Sequence, residues 1–166
     1  MAAKSLFRNA KIADGSIVDL AVEDGRIAAI GPALGGEHKE TVDLAGALVV
    51  PGFVDGHIHL DTTLWGEPWR PHKPNTGAFD VLERVRFQRE NLADAAPVET
   101  RAAAEIALCV GNGTTRIRSH VDINPTVGLS HLEALLKVRE AHRDLVSIEF
   151  VAFPQDGILV APGTAA

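Results

Sequence analysis

Three stretches of this chain, Phe53 to His59, Thr114 to Asp122 and Val146 to Pro154, read as strands, and helical patterns separate them. Strand side chains alternate between faces, so parity sorts each stretch into two sides. In the first, Asp55, His57 and His59 fall together, opposite Val54 and Ile58. In the second, Ile117, Val121 and Ile123 oppose Arg116, Arg118, His120 and Asp122. In the third, Val146, Ile148, Phe150 and Ala152 oppose Glu149, Val151, Phe153 and Gln155. Strands alternating with helices form a parallel sheet, and a parallel sheet covered on both sides should be apolar on both. One polar-leaning face fits a barrel instead: apolar faces pack on outer helices, and polar strand ends face an interior site. His59, Asp122 and Gln155 all stand at C-terminal strand ends.

Between these strands, a long loop from Asp61 to Thr76 carries Trp65, Trp69 and three prolines, and Phe79, Leu82, Val85 and Leu92 then suggest a helix. Pro97 suits the first position of a second helix that ends near Gly111 and Gly113. Ser130 and Glu133 have capping-box spacing ahead of a third helix. Before Pro51 the pattern differs. Ser5–Asn9, Ile17–Glu23, Val42–Leu44 and Ala47–Val50 read as short strands, and Asp24-Gly25 between VDLAVE and RIAAIG is a two-residue hairpin signal.

Charge and composition narrow the function classes. A net charge of −6 without a Lys/Arg cluster argues against nucleic acid as a partner. No stretch approaches the ~18 apolar residues of a membrane span, and MAAKSLFRNAKIADGS lacks a secretory apolar core. No membrane partner and a cytoplasmic address are therefore expected. The single cysteine, Cys109, can form no internal disulfide and lies beside Ile106 and Val110 as a packing residue. Without a C-x-x-C pair, the His/Cys zinc deaminases are excluded.

Histidines at i and i+2 on a strand point the same way, so His57 and His59 can reach one cation at the ~2.0–2.1 Å of a Zn–N bond. With seven histidines in 166 residues, about 0.3 such pairs arise by chance, so spacing alone does not decide. The setting adds more, since Asp55 extends the motif to DxHxH at the end of a strand that follows a β subdomain.

PGFVDGHIHLDTT resembles the first barrel strand of the amidohydrolase superfamily, and RIRSHVD followed by VAFPQDGIL resembles its cytosine deaminase branch. The resemblance spans nearly the whole chain. It implies an α/β fold: the first part of a (β/α)8 TIM-type barrel, about three βα units over residues 53–166. Residues 1–52 would supply N-terminal strands of a small β-sandwich subdomain. One divalent metal ion, zinc or iron, is implied at His57 and His59, where it would ionise a water to attack the amino-bearing carbon of a ring. The implied activity is hydrolytic deamination of a pyrimidine-like or other nitrogen heterocycle. An N-alkylamino-triazine amidohydrolase and a catalytically dead barrel serving as scaffold or binding module are the alternatives.

Gln155 matches the family's substrate-reading glutamine, whose carboxamide offers both donor and acceptor to a ring edge. The resemblance further implies that the backbone carbonyl which touches the base in that family would here be that of Ala78, although LWGEPWRPHKPNTG departs from the family pattern just before it. Asp61 is expected to orient the loop or a ligand. His120 and Asp122 either line the pocket or are satisfied polar residues of the barrel interior. Arg116 and Arg118 are expected to pair with interior carboxylates such as Glu149, while His38, His72, His131 and His142 fall in loops or on helix surfaces. Trp65 and Trp69 either cover the substrate or pack the loop down. The expected partners are a heterocyclic small molecule and water, with a homo-oligomer for the full-length protein. A third His, an HxxE glutamate, a further His and a late Asp of the family pattern lie outside this sequence, so the chain by itself is expected to be inactive.

Overall fold

The computed structural model describes residues 4–164 and divides into two compact units, Met1–Pro51 and Gly52–Ala166. In the first, β1 (Lys4–Lys11), β2 (Ile17–Glu23), β3 (Arg26–Gly31) and β4 (Glu40–Asp43) form one sheet in the order β3-β2-β1-β4. β1–β2 and β2–β3 run antiparallel, and β4 joins β1 in parallel. Asp24 and Gly25 connect β2 to β3 with φ of 51° and 72°, the paired positive values that a two-residue hairpin turn requires. Ala47–Val50 does not become a strand. Ala45 and Gly46 turn the chain with φ of 50° and 84°, leaving a lone parallel bridge between Lys11 and Leu48.

In the second unit, β5 (Phe53–Ile58), β6 (Thr114–Asp122) and β7 (Ser147–Phe153) form a parallel sheet in the order β5-β6-β7. Helices α1 (Val81–Leu92) and α2 (Val98–Gly111) lie between β5 and β6, and α3 (Ser130–Ala141) lies between β6 and β7. A core of Leu60, Ala102, Ile106, Ile117, Val121, Leu135, Val138, Val146 and Ile148 joins α2 and α3 to one face of the sheet. Cys109 packs half-buried at its margin. The opposite face carries Arg116, Arg118 and Glu149 around a cavity of about 200 Å³, with Arg118 Nη2 3.3 Å from Glu149 Oε2. Gly52, just before β5, has no room for a side chain, since a Cβ there would stand 2.3 Å from Thr115 Cγ2.

Helix ends depart from expectation in two places. Pro97 is the cap residue of α2, with φ −50° and ψ 149°, and the helix starts at Val98. The capping box of α3 does not form: Leu129 is the cap residue, and the Ser130 hydroxyl instead donates to the Val127 carbonyl at 2.7 Å. The tight turn before α3, built on Asn124 Oδ1 accepting from Thr126 and Val127 N–H, leaves Ser130 one position too late to cap. α1 is capped by a side chain, Asp80, whose Oδ1 accepts from Leu82 N–H at 2.8 Å.

Ile106 is fully buried between α2 and the sheet. Ile106→Ala should destabilise the full-length protein by about 2–5 kcal/mol, read as a lower denaturant midpoint at unchanged slope.

Candidate functional site

The register of β5 against β6 decides where the motif side chains point. Asp55 pairs with Ile117, but the next pair is Ile58 with Ser119, so three residues of β5 span two of β6. This is a β-bulge at Gly56 and His57, and a bulge resets the alternation of faces. Asp55 and Ile58 consequently share the helix-facing side with Ile117 and Ser119, and Ile58 packs on the helical core. Val54 and Gly56 join Arg116 and Arg118 on the other side. The parity expectation for Asp55 is thus corrected: it does not face the way His57 does. Gly56 was the available signal, because an isolated glycine within a strand pattern marks a bulge.

Asp55 nonetheless serves the pair from behind. Its Oδ1 accepts the His57 backbone N–H at 3.1 Å, satisfying an amide at the bulge, where the ladder is interrupted. On its far side stand Glu105 and Cys109 of α2. Burial pushes the Glu105 carboxyl above its ordinary range, the Thr63 hydroxyl opposes the shift, and the Asp55 charge adds to it.

His57 and His59 converge, with Nε2 atoms 3.3 Å apart. Two nitrogens at ~2.0–2.1 Å from a tetrahedral cation stand about 3.3–3.4 Å apart, so this half of the donor set fits a zinc-like ion. His120 lies face-on against His57, ring centroids 4.0 Å apart at 19°, and Phe153 meets His59 and His120 edge-on at 5.2 and 5.8 Å. His120 is therefore a wall of the pair, stacked rather than aimed at the same point. Burial, followed by the neighbouring His57, His59 and Arg118, holds its imidazole below the ordinary value. Among the described residues no three His, Cys, Asp or Glu side chains converge as a complete cage. His59 Nδ1 is buried without a hydrogen-bond partner among them; a ligating histidine ordinarily donates from that nitrogen to a second group.

The carboxylates beyond the pair are structural hubs. Asp61, wholly buried, accepts the Asp122 N–H at 2.9 Å and lies 3.2 Å from His131 Nδ1. Asp122 accepts from Arg89 Nη2 at 2.9 Å, from Asn124 Nδ2 at 2.8 Å and from the Gln155 N–H at 3.4 Å. Its carboxylate is committed to holding the ends of β6 and β7 against α1. Gln155 follows β7, and its Nε2 donates to Gln88 Oε1 at 3.2 Å. With Thr62, Arg89, Asp122 and His131, these two glutamines line a cavity of about 200 Å³.

Ala78 lies exposed two residues before the α1 cap, with no hydrogen bond to the histidine cluster among the described residues. Trp65 and Trp69 are also exposed, Trp69 to 83%. Sequence reading missed His131, Gln88 and Arg89. His131 meets a partner 70 positions away, and the bonds of Gln88 and Arg89 reach 33 to 67 positions; no local pattern encodes such pairs.

Residues 40–166 match the amidohydrolase family. The N-isopropylammelide isopropyl amidohydrolase of Pseudomonas sp. (strain ADP) is 31% identical over 160 residues, covering 93% of this chain and 39% of that protein. The crystal structure of N-isopropylammelide isopropylaminohydrolase from Burkholderia multivorans superimposes with TM-score 0.84 at 37% identity, covering 98% of this chain and 40% of that one. That of Klebsiella pneumoniae 5-methylcytosine deaminase, liganded with 5-fluorocytosine, gives 0.76 at 30%, covering 96% and 38%. The chain belongs to the amidohydrolase family and carries the first part of its (β/α)8 barrel, preceded by N-terminal strands. It spans about two-fifths of the length of these relatives.

A carboxyl that is protonated over a wider range when folded stabilises the fold at acid pH. That contribution is lost as pH rises from the ordinary carboxyl value through the raised one. Glu105→Gln should therefore leave the full-length protein's stability little changed near pH ~4 and raise it near pH ~7–8. Urea midpoints across that range would show it, and a pH-independent difference would contradict the assignment.

Proposed function

We propose that this chain supplies half of the metal site and the substrate-reading loop of a hydrolase that cleaves the exocyclic C–N bond of a nitrogen heterocycle. The convergence of His57 and His59 Nε2 at 3.3 Å, at the end of the first barrel strand, carries this reading. The ion they would hold is zinc or iron. When bound, it would supply a water acidified towards neutral pH as the nucleophile. His57 and His59 would hold the ion, and His120 with Phe153 walls one flank of the pair. Asp61 fixes the chain just after the pair by bonding the end of β6. Gln155 offers a carboxamide oxygen and a remaining N–H to the edge of a planar ring.

Cytosine-like rings and N-alkylamino-triazines are the two substrate classes. The first rests on the fluorocytosine-liganded deaminase, the second on the two N-isopropylammelide hydrolases. Steady-state turnover of both compound sets by the full-length enzyme separates them, and inactivity towards every cyclic amine tested would remove both.

His57→Ala or His59→Ala should abolish stoichiometric metal in elemental analysis of the purified full-length protein. Each should lower kcat/KM by more than the roughly 10–100-fold typical of losing a group that only orients a metal ligand. Full activity after exhaustive chelation would overturn the metal assignment.

A further inference from the structure

We propose that Gln88 and Arg89 of α1 set the selectivity of the site by fixing the carboxamide of Gln155, an inference that rests on Gln155 reading the substrate. Consecutive residues of α1 grip the loop after β7 in two ways. Arg89 Nη2 bonds Asp122 at 2.9 Å, and Arg89 Nη1 bonds Asp156, the residue after Gln155, at 2.8 Å. The backbone on either side of Gln155 is thus tied to one guanidinium, directly through Asp156 and, through the Gln155 N–H to Asp122 Oδ1 bond, indirectly. Asp122 is almost fully buried and Arg89 partly so, which makes these charge-assisted bonds strong and geometrically selective.

Gln88 acts on the side chain. A free glutamine swings through several rotamers and presents oxygen or nitrogen with little preference. Here Nε2 is held by Gln88 Oε1, so the carboxamide occupies one place and has Oε1 and one N–H to offer. A ring whose edge pairs an N–H with a neighbouring acceptor meets both. A ring alkylated at that nitrogen leaves the Gln155 oxygen without its partner, and a buried polar group left unmatched is where discrimination of this kind originates. Gln88 is a positioning residue: it acts through Gln155.

The test compares Gln88→Leu, Gln88→Glu and Gln155→Ala in the full-length enzyme on a ring substrate and its N-alkylated analogue. Gln88→Leu should lower the kcat/KM preference for the unalkylated ring about three- to tenfold, the loss being mainly in KM. Gln88→Glu keeps the acceptor and should restore the preference. A crystal structure of the Gln88→Leu protein, which needs no turnover, should show the Gln155 side chain displaced or in several rotamers. An unmoved Gln155 in that structure, or undiminished preference in Gln88→Leu beside lost preference in Gln155→Ala, overturns the role of Gln88 alone. Unchanged kinetics in Gln155→Ala overturns the reading of Gln155 itself, and the inference with it.

Discussion

One extra residue in β5 governs the rest of the site. Without the bulge between Asp55 and Ile58, strict alternation would put Ile58 and His59 on opposite faces yet leave Asp55 beside the histidines, crowding a carboxylate into the cluster. With it, Asp55 turns towards α2 and holds the His57 amide from behind. His57 and His59 are left together with His120 and Phe153. The aim of the two imidazoles depends on a local break in the ladder, and the break depends on an acceptor on the helix side to satisfy an amide.

From that point the structure tightens towards the strand ends. Leu60 N–H bonds Ser119 Oγ at 3.1 Å, Asp61 bonds the Asp122 N–H, and Asp122 bonds the Gln155 N–H. The three C-terminal strand ends are thus linked in sequence by buried polar groups, each matched to a backbone donor. Such bonds contribute modestly when made and cost considerably more when one partner is missing, so they fix relative position more than they add stability.

Much of this was legible in the sequence. The alternation in β6 and β7, the Asp24-Gly25 turn and the βα order all follow from periods that neighbouring residues express. HIHLDTT marked the two histidines whose Nε2 atoms the fold brings to 3.3 Å, and AFPQDG marked Gln155, which follows β7. What escaped were features set by tertiary register or distant partners. The face of Asp55 depended on a bulge, the cap of α3 on a turn that displaced Ser130, and the roles of His131, Gln88 and Arg89 on residues far along the chain. Asp122 could be placed at a strand end but not assigned between lining and support, because that depends on how many donors surround it.

The guanidinium of Arg89 has an evolutionary corollary. Because it joins Asp122 and Asp156 across two strand ends, loss of Arg89 leaves two neighbouring carboxylates, one of them buried, without their cation, a change far costlier than replacing the group together. Positions 89, 122 and 156 should drift through the family as a linked set. Libraries that randomise the loop around Gln155 will recover few folded members unless α1 is varied along with it.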